Sequence, residues 1–122
     1  MKPTAEEMAL YRATMQQREK KAQQKREQRR ARAWETAKQA ATLLKEDFGA
    51  SQVVVFGSLA HGLWFSEHSD VDIAVWGLKS DDYFTAVARL QDISPEFQVD
   101  LVSIEHCKPG LREAILSEGK LL

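Results

Sequence analysis

Between Ala5 and Phe48 the chain has neither glycine nor proline and is dense in Ala, Gln, Glu, Lys and Arg. These are good helix formers and predict one long helix, broken once at most. In its second part Trp34, Ala37, Ala41, Leu44 and Phe48 recur at steps of three and four, so they share one face and predict the side that packs on a core. Gly49 follows, able to take the left-handed conformation that closes a helix. The first part differs. Met8, Tyr11 and Met15 share a short helical face, and then Arg18 to Arg32 brings eight basic residues, two acidic ones and scarcely any large apolar side chain. Such a stretch cannot be buried alone.

From Gln52 the period changes. Val53-Val54-Val55-Phe56 is a β-branched run bounded by Gly57, the pattern of a buried strand. Asp70 to Val75 predicts a second strand, with Val71, Ile73 and Val75 on one side and Asp70, Asp72 and Ala74 on the other, because side chains alternate across a strand. Ser80 is the expected N-cap of a helix whose buried side is Phe84, Val87, Ala88 and Leu90. Gln98 to Ile104 predicts a third strand, with Asp100 among Val99, Leu101 and Val102. Pro109 suits the first turn of a last helix carrying Leu111, Ile115 and Leu116, and Gly119 suits its end.

This order of elements implies an α/β (α+β) fold, a small mixed β-sheet flanked by helices. No internal repeat is visible. At 122 residues the ceiling is one small catalytic domain plus an extension, divided here into a basic helical extension, 1–32, and a domain, 33–122. Charge supports that division. Residues 1–32 hold ten basic and four acidic side chains and residues 33–122 hold seven and fourteen, leaving about +6 and −7.

Cysteine and hydropathy narrow the setting. With Cys107 as its one cysteine the chain can form no internal disulfide, and it has neither a charged-then-apolar leader nor an apolar run able to span a bilayer. A cytoplasmic location and no membrane association are expected. His61, His68 and His106 are scattered and lack the paired spacing of a structural zinc site.

The chemistry is concentrated in the middle. Asp70 and Asp72 project from one face of a strand, and close-set hard oxygen ligands are what Mg²⁺ requires. Two such acids repel each other unless cations lie between them. Gly57-Ser58 follows a strand and precedes a short helix, so its exposed N–H groups and hydroxyl suit polyphosphate oxygens.

Together, Gly57-Ser58, the spacer Leu59 to Ser69, Asp70-x-Asp72 and the later Asp100 resemble the signature of the DNA polymerase beta nucleotidyltransferase superfamily. The resemblance spans roughly 33–122 and is most specific from Val53 to Asp100. It implies that Gly57 and Ser58 hold a nucleotide triphosphate, that Asp70, Asp72 and Asp100 bind Mg²⁺, and that Asp100 helps activate the attacking hydroxyl. The spacer is the one departure, eleven residues where the family has about ten. Only about twenty residues follow Asp100, which resembles the minimal nucleotidyltransferase (MNT) group, often the antitoxin of HEPN/MNT toxin-antitoxin pairs. That implies transfer of AMP from ATP to a tyrosine hydroxyl of a HEPN-type toxin.

Other readings stand beside this one. Asp70 and Asp72 could mark a soluble strand edge, and Asp100 could pair with Arg89 or Arg112. His61, next to the phosphate turn, could touch nucleotide or could cap or hydrogen-bond its own short helix. Trp64 and Phe65 could stack on a base, with packing of the loop favoured. Trp34 reads as core and Cys107 as a small, chemically idle thiol. The basic segment could be a solvated helix face, the reading favoured here, or a dock for an acidic partner or for nucleic acid. The protein could also neutralise its partner by contact alone, or transfer a nucleotide to an RNA or a small molecule.

Overall fold

A computed structural model of the chain describes residues 1–62 and 65–122. Helix α1, Ala5–Phe48, is continuous over its 44 residues, so the single break allowed by the sequence does not occur. The Thr4 side chain accepts from the Glu7 N–H at 3.1 Å to cap its start. Gly49, at φ 70, turns its N–H back to the Leu44 carbonyl and ends it. Residues 1–28 are exposed throughout, and burial starts with Arg29 and Arg30. From there Ala33, Thr36, Ala37, Ala40, Ala41 and Leu44 form the buried face. Its small side chains let the helix axis lie close to the sheet. Trp34 and Phe48 are half-buried at the margins of that core.

Strands β1, Gln52–Phe56; β2, Val71–Trp76; β3, Val99–Ser103; and β4, Lys120–Leu121, form one sheet in the order β3-β2-β1-β4. β1 runs antiparallel to β2 and β4, and β2 runs parallel to β3. The predicted mixed sheet flanked by helices is therefore present. Alternation divides it into two faces. Val53, Val55, Val71, Ile73, Val75, Val99 and Leu101 join α1 and α3, Tyr83–Gln91, in the main core. Val54 and Ala74 face the other way and meet Ile104 and, from α4, Pro109–Glu118, Ile115.

Two helix faces differ from expectation. Ser80 opens a 3-10 turn, Ser80–Asp82, and makes no capping bond; α3 begins at Tyr83. In α3 Ala86 and Leu90 are buried, with Tyr83 and Val87 packed beside them, whereas Phe84 and Ala88 are exposed. The Tyr83 hydroxyl supports this orientation by donating to the Leu101 carbonyl at 2.7 Å. In α4 only Ile115 is buried; Leu111 and Leu116 are 39% and 61% exposed because the second core is too small to reach them. Gly119 ends α4 as expected, though by close approach, since a Cβ there would strike Val54 Cγ1. Lys120 and Leu121 then add the short strand β4, whose two residues carry no periodicity from which to predict it.

Candidate active site

Strand register gathers the polar residues singled out by the sequence. Phe56 pairs with Asp72 across β1 and β2, and Asp72 pairs with Asp100 across β2 and β3. Gly57, the residue after Phe56, therefore lies next to Asp72 at the same end of the sheet. Gly57 has φ 72, and a Cβ on it would collide with Asp72 Oδ2. Glycine is required on both counts: the left-handed conformation disfavours a side chain, and the carboxylate occupies the space. Gly57 and Ser58 open the short helix α2, Gly57–His61, whose Leu59 and Ala60 are buried and anchor the turn.

Asp70, Asp72 and Asp100 are all half-buried. Burial pushes Asp72 up to about 6, and repulsion from Asp100 and then Asp70 adds to it. Asp70 is also raised, by burial first and then by the charge of, and a hydrogen bond with, Asp100. The three carboxylates form one anionic cluster, and among the described residues no Lys, Arg or His forms an ion pair with it. Among the described residues no three acidic, His or Cys side chains are closed into a ready coordination sphere. Arg89 does not serve Asp100: it pairs with Asp47 Oδ2 at 2.7 Å and lies over the Phe48 ring.

Sequence reasoning missed Gln98, whose Nε2 donates to Asp100 Oδ1 at 3.0 Å. Its signal was available, because residues two apart on a strand share a face. The same reasoning missed Arg29. This residue donates to the carbonyls of Ser66 at 3.2 Å and Glu67 at 2.9 Å and to Glu96 at 3.3 Å, and its guanidinium lies 4.5 Å from the Phe97 ring centroid. Arg32 adds a bidentate pair with Glu96, 2.8 Å on both arms. These contacts tie α1 to the loop that leads into Asp70 and to the loop that leads into β3 and Asp100. No local period signals them, since they join residues more than thirty positions apart.

The remaining residues named from the sequence have ordinary roles. His61 pairs with Glu118 at 2.9 Å, joining α2 to α4. Phe65 is buried against Phe97, with ring centroids 6.2 Å apart, so it packs the loop; Trp64 lies outside the described residues. Cys107 is half-buried, with its thiol 3.5 Å from the Ile104 carbonyl. Among the described residues no helix is long and apolar enough to cross a membrane.

Residues 38–122 match the family model described as polymerase beta, nucleotidyltransferase. That is well over half of the chain, and the chain belongs to this nucleotidyltransferase family. Within it, the chain is similar to the solved structure of a candidate minimal nucleotidyltransferase, at 34% identity over 79% of this chain and 94% of that one, with TM-score 0.57. It is also similar to a chain of a toxin-antitoxin complex crystallised with AMP-PNP, at 25% identity and TM-score 0.56, covering 66% of each chain. A mutant of the toxin-antitoxin MntA-HpeT gives 27% identity, the same coverage of both chains and TM-score 0.56. The chain thus spans about two thirds of the toxin-antitoxin chains that it matches. No curated relative matches it.

Proposed function

We propose that the protein is a Mg²⁺-dependent adenylyltransferase that moves AMP from ATP onto a hydroxyl, in the first instance a tyrosine, of a HEPN-type toxin and so acts as its antitoxin. The observation that carries this reading is the pairing of Asp72 with Asp100 beside Gly57 at one end of the sheet, with Asp70 close enough to interact with both carboxylates. Residues 33–122 would be the catalytic unit and 1–32 its extension, working in a reducing cytoplasm. The toxin partner is suggested by the toxin-antitoxin relatives, one of them holding an ATP analogue, and the HEPN class by the resemblance to the MNT group.

The donor set suits the metal. Three carboxylates offer only hard oxygens, and Asp70 and Asp72 are raised by burial first and then by repulsion within the cluster, so a divalent cation beside them would favour their charged forms. Asp70, Asp72 and Asp100 would hold Mg²⁺, which when bound supplies charge stabilisation at the reacting phosphate. The other steps belong to the chain. The N–H groups and hydroxyl of Gly57-Ser58 hold the outer phosphates of ATP, and the absent Cβ of Gly57 keeps phosphate and Asp72 in proximity. Asp100, held by Gln98, takes the proton of the acceptor hydroxyl. The hydroxyl oxygen bonds to the α-phosphorus while the bond from that phosphorus to the β-phosphate oxygen breaks, releasing pyrophosphate. Catalysis here is mainly positioning and neutralisation of charge.

The test is label transfer from α-phosphate-labelled ATP, with Mg²⁺, into lysate proteins and RNA, run beside an Asp70→Asn/Asp72→Asn variant. Label on one discrete protein, absent with the variant, is expected. Label in RNA or a small molecule would redirect the acceptor. Toxin neutralisation that persists in the variant would mean inhibition by contact.

A further inference from the structure

Among the described residues, the side chains of the N-terminal arm, 1–28, make hydrogen bonds only within that segment. Residues 1–28 are exposed, and a solitary helical arm in water is marginal without something to pack on. This arm also concentrates apolar surface: Met8, Leu10, Tyr11 and Met15 are 40%, 71%, 61% and 42% exposed within two turns of helix. Glu7, Leu10, Tyr11, Thr14, Met15 and Arg18 line one shallow groove along it. Glu7, Tyr11, Thr14 and Arg18 follow one another at steps of four, three and four and so share one helix face, with Leu10 and Met15 at its flanks.

The groove has a symmetry of its own. Glu7 and Arg18, Leu10 and Met15, and Tyr11 and Thr14 are each equidistant from the midpoint between Arg12 and Ala13. We propose that this arm pairs antiparallel with the arm of a second copy of the chain, about a twofold axis passing between Arg12 and Ala13. In that arrangement Glu7 of each copy faces Arg18 of the second copy at both ends of the seam, and Tyr11 packs against Thr14. Such an interface is isologous and closes as a dimer. Parallel pairing would set Glu7 on Glu7 and Arg18 on Arg18. It would also run two basic segments side by side, each with eight basic and two acidic residues between Arg18 and Arg32. Antiparallel pairing sends those segments to opposite ends.

Space permits the arrangement. Among the described residues the first hydrogen bonds of α1 to its own domain are at Arg29, roughly 25 Å from the axis at 1.5 Å per helical residue, so these anchor points in the two copies stand about 50 Å apart. A strip with opposite charges at its two ends suits a second copy, whereas a foreign partner gives no reason for the symmetry. The contact is a few turns long and falls below the ~1,200–2,000 Å² of a standard interface, so the dimer dissociates on dilution.

Sedimentation equilibrium of the full chain over a wide concentration range tests this. A reversible monomer-dimer transition is expected. Glu7→Arg alone and Arg18→Glu alone should each move its midpoint at least tenfold upward, and the two together should bring it back, with circular dichroism unchanged throughout. A chain that is monomeric at every concentration overturns the proposal, as do single variants without effect or a double variant no better than either single one. Protection of the arm from trypsin by poly(A) RNA with no self-association would assign it to nucleic acid instead and equally overturn the dimer.

Discussion

Replacing Asp72 with asparagine removes one negative charge from a cluster of three half-buried carboxylates and should stabilise the metal-free fold while abolishing transfer. In the folded chain Asp72 titrates at about 6 in place of the ordinary 3.8. Between those values the folded chain holds a proton that the unfolded chain has lost, so stability falls as pH rises through this window, and above it the cost of the charge is complete. A change of that size would be worth about 3 kcal/mol for a fully buried group. Asp72 is half-exposed, and solvent screening reduces the figure to about 1 kcal/mol. In urea titrations with EDTA at pH 8, Asp72→Asn should therefore be more stable than the parent by about 1 kcal/mol, or roughly 3–5 °C in Tm. Near pH 4 the advantage should vanish, because the parent carboxyl is then protonated. Adding Mg²⁺ at pH 8 should stabilise the parent and leave the variant nearly unchanged. A variant equal to or weaker than the parent at pH 8 without metal would mean that the Asp72 carboxylate has a favourable partner in the fold and is not destabilising there.

Gly57→Ala should lose transfer activity and about 1–2 kcal/mol of stability, the cost of a side chain in the left-handed region, with further loss as Asp72 is displaced; full activity in a label-transfer assay would refute the close approach. Arg29→Ala should cost about 2 kcal/mol in chemical denaturation, typical of lost hydrogen bonds from a charged group. Arg29→Lys should recover little, because an ammonium cannot both stack on Phe97 and reach two carbonyls. Deleting residues 1–28 should change the unfolding free energy by less than about 0.5 kcal/mol at concentrations where the chain is monomeric, as for exposed positions generally. Loss of cooperative unfolding in that truncated chain would mean that the arm belongs to the core.

Local pattern carried the elements that are themselves local. The alternation in β2 was readable because Val71, Ile73 and Val75 all face one core and are fully buried. The end of α1 was readable because Gly49 closes it through its own backbone. The acids and the Gly-Ser turn were legible as chemistry from their spacing, although Asp70 lies just ahead of β2, one residue outside the strand that the sequence predicted to begin with it. Elements set by the rest of the molecule were not legible. Nothing in 80–91 says that a 3-10 turn precedes α3 or that Tyr83 will bond to the distant Leu101 carbonyl, the contact that goes with Phe84 facing water and Ala86 the core. β4 exists because β1 offers an open edge, and its two residues carry no signal of their own. The Arg29 clamp depends on Ser66, Glu67 and Glu96, all distant in sequence.

That clamp bears on how an unfavourable acid cluster can persist. β2 differs between its faces: the side with Val71, Ile73 and Val75 lies in the main core, and the other buries Ala74 in the smaller core but carries Asp72 at its start. Repulsion alone would favour splaying the segments that carry Asp70 and Asp100. Three restraints oppose this. The β2-β3 ladder fixes Asp72 opposite Asp100, the Val71 N–H reaches the Gln98 carbonyl at 2.9 Å, and Arg29 holds the two leading loops to one helix. The helix extension therefore contributes to the site through its last basic turn, while the arm before it remains free for contact with another surface. If so, Arg29→Ala should weaken Mg²⁺-dependent stabilisation as well as the fold, and truncation at residue 28 should affect neither.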